Sequence, residues 1–127
     1  VQVVVLSANS CDPWYRRAVR VSMGHVARIP TVRVDDLASV LRKLSLNVTC
    51  YAAVIDPSAS RLKDLKAVPK RWCCVMGNES NGVSQTVLAT CQHTIRIDME
   101  PGVDSLSLPV ATAILLNGLR ERAIEDN

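Results

Sequence analysis

Short apolar segments alternate along this chain with segments whose apolar residues recur at helical spacing. The strand-like segments, rich in valine, isoleucine and threonine, span residues 1–8, 28–34, 47–56, 71–76 and 93–99. The helix-like segments span residues 12–23, 35–44, 84–91 and 107–124, and the last of them is the longest. This alternation predicts an α/β fold with a mostly parallel sheet flanked by helices. Residues 57–70 are polar and basic, and at most one short helix is expected there.

Length and composition indicate one globular domain over residues 1–127. The chain is 48% hydrophobic and 21% charged, which is the balance of a folded domain rather than a disordered segment. No apolar run approaches the ~18 residues of a membrane helix, so no membrane partner is expected. The opening residues VQVVVL are interpreted as a buried strand and not as a signal peptide.

The cysteines and histidines give no sign of a metal site. Five cysteines are present, two of them adjacent, without a CxxC pair, and the two histidines lack the spacing of metal ligands. We therefore expect no metal and interpret the cysteines as small buried side chains in a reducing compartment. The five are Cys11, Cys50, Cys73, Cys74 and Cys91.

Positive charge is concentrated near the start of the chain. Residues 1–43 carry a net charge of +4, whereas residues 44–127 carry −1. Three of these cations, Arg16, Arg17 and Arg20, lie off the apolar stripe of the first predicted helix. Such a face is most often simply solvated, but it also suits a polyanionic partner.

Three loops follow predicted strands, at the edge of a parallel sheet where ligands bind. They are residues 9–12, the GNESNG loop at 77–82, and residues 100–104 leading into the last helix. Gly77 would allow a ligand to approach the backbone closely, and Gly82 would allow a positive φ. Glu79 would act on a ligand or organise its loop by accepting backbone N–H bonds, and Ser107 would contact a ligand or cap the last helix. No nucleophile–base pair is evident, which disfavours a hydrolase.

The last third of the chain resembles the second and third signature motifs of the SpoU/TrmH branch of the SPOUT methyltransferases. The similar stretch reads VMGNESNGVSQTVLATCQHTIRIDMEPGVDSLSLPVATAILL, and the upstream DPWYRRAVRVSMGHVARIP resembles the segment before those motifs. The matching positions are Gly77, Glu79 and Gly82 in the loop, Cys91, Ile97 and Met99 in the strand region, and Ser105, Leu106, Val110 and Ala111 at the helix entry.

This resemblance implies a deep trefoil knot near the C-terminus and S-adenosylmethionine as the cofactor. Backbone groups of Gly77, Ile97 and Leu106 would hold the adenine, and Met99, Ser105 and Ala111 would complete the cofactor site. It further implies a homodimer through the C-terminal helix and methylation of a ribose 2′-hydroxyl of rRNA or tRNA. The arginines of the first helix then become candidate RNA contacts, and Glu79 and Ser107 candidate catalytic positions. The expected compartment is the bacterial cytoplasm, or a mitochondrion or chloroplast in a eukaryote.

Three departures from the family pattern concern catalysis. The asparagine and catalytic arginine of the first motif have no counterpart here, so we expect that the N-terminal portion of the domain is missing from this chain or that the protein has lost it. Asp98 stands where the family has proline, and Ser107 where it has asparagine. Three hypotheses follow: an active 2′-O-methyltransferase, an impaired SPOUT-like RNA-binding or ribosome-assembly factor that keeps the dimer and cofactor pocket, and an unrelated nucleotide-binding α/β domain. The spacing of the two motifs argues against the third.

Overall fold

The computed structural model describes residues 1–123, which contain six strands and four α-helices. All strand pairings are parallel, so the predicted α/β class with a parallel sheet is confirmed. The chain forms two compact units, Val1–Val40 and a second that begins at Leu41. The strands are β1 Val4–Ser7, β2 Thr31–Val34, β3 Thr49–Ala53, β4 Ser60–Arg61, β5 Trp72–Val75 and β6 His93–Arg96. The helices are α1 Arg16–Val21, α2 Leu37–Leu44, α3 Gln85–Leu88 and α4 Leu108–Glu121, with 3-10 turns at His25–Ala27 and Leu62–Asp64.

In the first unit, β1 and β2 form a two-stranded sheet whose end is held by one arginine. The guanidinium of Arg33 donates to the carbonyl oxygens of Ser7, Ala8 and Ser10 at 2.8–3.0 Å and to that of Cys11 at 3.2 Å. One side chain of β2 therefore donates to four carbonyl groups at the end of β1 and in the loop that follows it. The sequence pattern does not predict this role of Arg33.

Helix α1 is shorter than predicted, and its apolar stripe is not buried. The side chain of Asp12 accepts a hydrogen bond from the Trp14 N–H at 2.9 Å, which forms a turn, and the helix begins only at Arg16. Asp12 followed by Pro13 predicts an N-cap at the start of this helix. Asp12 is instead a turn residue, because an aspartate oxygen satisfies the N–H two residues ahead equally well in a turn. The helix also ends earlier than predicted, at Val21 with Ser22 as its C-cap, and Gly24, with φ +82°, precedes the 3-10 turn that follows.

The second unit contains a four-stranded sheet in the order β4-β6-β3-β5. Its core joins Tyr51 and Ile95 on the sheet to Leu115 and Leu119 on α4. Gly118 has a packing role, because an added Cβ would lie 2.7 Å from the side chain of Leu62.

The helix boundaries follow the sequence signals to different degrees. The Asp36 carboxylate accepts from the Ser39 N–H at 3.0 Å, so the predicted start of α2 is confirmed. Helix α4 begins at Leu108 with Ser107 at its N-cap and Pro109 in its first turn, as predicted. Helix α3 covers only Gln85–Leu88 of the predicted 84–91. The predicted end of the last helix at residue 124 lies outside the described residues.

The segment at 57–70 contains a strand that the sequence did not predict. The two-residue β4 pairs with β6, with Arg61 opposite Arg96, and the 3-10 turn Leu62–Asp64 follows it. A strand of two polar residues carries no alternation from which it could be predicted.

All five cysteines are free, and four of them are buried or half-buried. Cys50 and Cys73 are direct partners on β3 and β5. Burial raises the pKa of the Cys73 thiol and raises the pKa of Cys74 to about 12, so both remain protonated and unreactive near neutral pH. Cys11 is exposed, so the prediction of a buried side chain is wrong at that position.

Residues 1–123 contain no group of three or more histidine, cysteine, aspartate or glutamate side chains placed to hold a metal ion. Among the helices of this part of the chain, none combines the length and apolar character required to span a bilayer.

Candidate functional site

The loops after β5 and β6 lie at the same edge of the four-stranded sheet. Both strands run parallel to β3, which lies between them, so their carboxyl ends point the same way. Gly77 follows β5 and Ile97 follows β6. Because β3 lies between these strands, β5 and β6 are two inter-strand spacings apart, which is about 10 Å. This edge is the usual place for ligands in a parallel sheet. Succession in the sequence does not reveal that β3 is inserted between the two strands.

The loop at residues 77–82 is organised by Asn78. Its side-chain oxygen accepts from the N–H groups of Ser80 at 3.0 Å and Asn81 at 2.6 Å. Its carbonyl oxygen accepts from the Gly82 N–H at 3.0 Å, and Gly82 has φ +66°, as its predicted role requires. The loop is therefore a closed turn held by one asparagine, and Glu79 is not needed for its internal bonds.

Gly77 is required by the loop itself. A Cβ added to Gly77 would lie 2.0 Å from the carbonyl carbon of Gly82 and 2.3 Å from the Val83 nitrogen. Both atoms belong to the backbone, which cannot rotate away as a side chain can. The structure shows that the far end of the same loop closely approaches Gly77, while the predicted approach of a ligand stays a prediction.

Glu79 joins this loop to the start of α4. Its Oε1 atom accepts a hydrogen bond from the Leu108 N–H at 3.2 Å, at the N-terminus of a 14-residue helix. A carboxylate there satisfies an otherwise unpaired N–H and lies at the positive end of the helix dipole. Ser107 holds the N-cap position, but its side chain makes no capping hydrogen bond. Glu79 was predicted to act on a ligand or to accept hydrogen bonds from backbone N–H groups of its own loop. It accepts one from a backbone N–H, but that group belongs to α4.

Asp98 belongs to an ion-pair cluster at the end of β6. Its carboxylate lies 2.5 Å from the Lys63 ammonium and 2.7 Å from the Arg96 guanidinium. The hydrogen bond from Lys63 is the main cause that lowers the pKa of Asp98 below its ordinary value. Arg96 also donates to the carbonyl oxygen of Ala59 at 3.3 Å, so the cluster ties β6 to the segment that carries β4. The departure from proline at this position has a structural use that the sequence did not predict.

The remaining predicted residues differ in exposure. Ile97, Met99, Leu106 and Ala111 are half-buried, whereas Ser105 and Ser107 are exposed. Ile97 packs against the core of the second unit. Arg16, Arg17 and Arg20 are exposed on α1, in the first unit. A groove of about 460 Å³ lies elsewhere in the second unit, between Leu62 and the later turns of α4.

We expect Glu79→Ala to destabilise the chain by ~0.5–2 kcal/mol, the usual cost of losing a helix cap. Glu79→Gln keeps an acceptor and loses the charge, so a smaller loss is expected. The matched control is Glu100→Ala, because the exposed Glu100 side chain makes no hydrogen bond or ion pair within residues 1–123. Urea unfolding measures all three variants. Equal stability of the Glu79→Ala and Glu100→Ala variants would contradict the capping role.

Sequence comparison matches residues 1–117 to the family model described as SpoU rRNA Methylase family. A tRNA/rRNA methyltransferase of Archaeoglobus fulgidus is 38% identical over 116 residues, which cover 89% of this chain and 50% of that protein. The 23S rRNA (guanosine-2′-O-)-methyltransferase RlmB of Salmonella typhi is 31% identical, covering 96% of this chain and 50% of that protein. The chain thus spans about half the length of these curated relatives.

A solved structure shares the fold over nearly the whole chain. The AdoMet-bound rRNA methyltransferase of Sinorhizobium meliloti superposes with a TM-score of 0.84 at 25% sequence identity. The superposition covers 98% of this chain and 48% of that protein. The strands and helices described above therefore match about half of a larger known chain.

Proposed function

This chain belongs to the SpoU rRNA methylase family, and on that premise we propose that it carries the S-adenosylmethionine site of an RNA ribose 2′-O-methyltransferase. The observation that carries the proposal is the hydrogen bond from the Leu108 N–H to Glu79, which joins the loop at residues 77–82 to the start of α4. A relative whose name includes a guanosine 2′-O activity and a solved structure bound to AdoMet support it.

The backbone at these loops suits an adenosine. The amide and carbonyl groups of Ser105 and Leu106 take part in no backbone–backbone hydrogen bond within residues 1–123. At these exposed and half-buried positions the groups are open to water, which a ligand with donor and acceptor edges would replace. Gly77, Ile97 and Leu106 would hold the adenine, and Met99, Ser105 and Ala111 would complete the site.

Methyl transfer to a ribose hydroxyl sets three requirements for the protein. S-adenosylmethionine supplies an electrophilic methyl group, and the ribose hydroxyl is a weak nucleophile that must be held in line with it. Its proton needs an acceptor, and the oxygen that loses it is stabilised by cations or hydrogen-bond donors. Glu79 holds the first turn of α4 in place, and the exposed hydroxyl of Ser107, at the same helix end, would orient the substrate.

We propose rRNA or tRNA as the substrate, with Arg16, Arg17 and Arg20 as contacts to it. These arginines are exposed on α1, and their side chains have no ion pair within residues 1–123. Guanidinium groups left unpaired in this way are available to phosphates.

The trefoil knot of the family is also part of the proposal. It rests on the family membership, and in this structure the end of α4 is bonded to the segment after the Leu62–Asp64 turn. Arg122 donates through Nε to the Leu65 carbonyl oxygen at 3.0 Å, and its own carbonyl oxygen accepts from the Val68 N–H at 2.8 Å. These bonds bring the last described part of the chain back against an earlier segment of the same unit.

We propose a homodimer through α4. Val110 and Ile114 on this helix are 48% and 39% exposed, and Ile114 borders the groove beside Leu62. We expect Ile114→Glu to convert the dimer to a monomer, because the interface would bury a carboxylate without a partner. Sedimentation velocity measures the mass, with Arg120→Gln on the same helix as the control, because it changes the net charge by the same amount at an exposed position outside the groove. A monomer mass for the unmodified chain at all concentrations would contradict the dimer.

The test of function is the chemical position of the transferred methyl group. The full chain is incubated with RNA and S-adenosylmethionine labelled in the methyl group, and the RNA is then hydrolysed with alkali. Alkaline cleavage needs a free 2′-hydroxyl, so ribose methylation leaves the label in resistant dinucleotides. Label found in mononucleotides would indicate base methylation and contradict the proposal.

A second candidate function is a factor that binds cofactor and RNA without transferring methyl groups. The observation that favours it is the engagement of Asp98 in ion pairs at the position of a family proline. The same experiment separates the two, because this factor would bind both ligands and leave the RNA unlabelled.

A further inference from the structure

Two large aromatic side chains are exposed at the start of α1. Trp14 is 60% and Tyr15 65% exposed, and neither has a role in the site described above. Side chains of this size are seldom left so open to solvent, and adjacent exposed aromatics often mark a binding surface.

Trp14 borders a groove of about 310 Å³ in the first unit. Val26, Ile29 and Pro30 give it apolar walls, and Arg28 lies at the same groove. The volume is at the lower end of the ~300–1,000 Å³ range of small-ligand sites, so the groove suits one flat ring system rather than a large ligand.

Arg28 at the groove and three arginines on α1 of the same unit carry unpaired positive charge. The side chains of Arg16, Arg17, Arg20 and Arg28 form no hydrogen bond or ion pair within the described part of the chain, as the bonds and pairs found there involve other groups. The one acidic residue among positions 12–31 is Asp12, and its carboxylate already accepts the Trp14 N–H. The partner of this surface is therefore expected to be an anion with a flat apolar part.

We infer that the groove bordered by Trp14 and Arg28 binds an unpaired nucleotide of the RNA, with its base stacked on the Trp14 indole and neighbouring phosphates on the α1 arginines. Aromatic stacking combined with arginine contacts is how proteins hold single strands. A duplex hides the faces of its bases and does not fit. A second copy of the chain would bring the same arginines together, and like charges repel. The inference depends on the proposed RNA function.

The test measures the affinity of the full chain for a single-stranded RNA and for the same strand annealed into a duplex. We expect preference for the single strand and a loss of roughly 5- to 150-fold in Trp14→Ala, the usual effect of removing a stacking ring. Trp14→Phe should retain most of the affinity but lose the quenching of tryptophan fluorescence by RNA. Met23→Ala removes another exposed apolar side chain of this unit, outside the groove, and should bind normally.

Calorimetry with S-adenosylmethionine on the same variants separates this inference from the proposed function. Normal binding of cofactor and RNA by Trp14→Ala would overturn the inference and leave the function standing. Failure of the unmodified chain to bind any RNA would overturn both. A change of sedimentation mass in Trp14→Ala without a change of RNA affinity would identify the groove as a contact between copies and overturn the inference.

Discussion

Replacing Gly77 by alanine is expected to weaken S-adenosylmethionine binding by roughly 5- to 150-fold. The added Cβ would lie 2.0 Å from the carbonyl carbon of Gly82, so the loop at residues 77–82 cannot keep its closed form. Forcing one extra carbon into a packed site costs ~1–3 kcal/mol, and here the obstructing atoms are backbone. The displaced loop would carry Glu79 away from the Leu108 N–H and separate the two halves of the proposed site.

The control for this prediction is Gly82→Ala in the same loop. No atom lies within 4 Å of a Cβ added to Gly82, and the remaining obstacle is its φ of +66°. A non-glycine residue in that conformation costs ~1–2 kcal/mol, and the loop keeps its path. Titration calorimetry should therefore show a smaller loss for Gly82→Ala than for Gly77→Ala. Unchanged affinity in Gly77→Ala would contradict the close-approach argument.

The second large effect concerns the rate of methyl transfer. We expect the 127-residue chain to bind cofactor well but to methylate RNA ~10²–10³-fold more slowly than a version extended upstream by a family first motif. The printed sequence contains no counterpart of the first-motif arginine. Losing one preorganised group that stabilises developing charge typically costs a factor of this size.

The measurement is the initial rate of tritium transfer from labelled cofactor to RNA, at saturating cofactor for both versions. Calorimetry on each version is the control, since equal cofactor affinity assigns the difference to the chemical step. Equal rates for the two versions would show that the first motif is dispensable.

The parallel α/β class was predictable because it depends on local patterns. Val4–Ser7, Trp72–Val75 and His93–Arg96 are short apolar or alternating segments separated by helical ones, and such strands join in parallel. The order of the strands was not predictable, because the placement of β3 between β5 and β6 is decided by tertiary packing. The short β4 was not predicted because its two polar residues show no alternation of apolar and polar side chains.

The residues of the candidate site were predictable where they belong to a motif. Contacts between side chains and backbone groups far apart in the sequence were not predictable. The resemblance identifies Glu79 and Gly82, and the positive φ of Gly82 agrees with its predicted role. The hydrogen bond from the Leu108 N–H to Glu79 joins residues 29 positions apart. The hydrogen bond from Arg33 to the Ser7 carbonyl oxygen joins residues 26 positions apart. No spacing rule for helices or strands predicts contacts at such separations.

The central claim is that this chain holds a site for S-adenosylmethionine at the joined loops, and titration calorimetry tests it most directly. The full chain, shown to be folded by circular dichroism, is titrated with S-adenosylmethionine and with S-adenosylhomocysteine. We predict saturable binding of both ligands at one site per chain, which Gly77→Ala weakens and Met23→Ala leaves unchanged. A folded chain that releases no binding heat with either ligand, and whose melting temperature neither ligand raises, would contradict the claim.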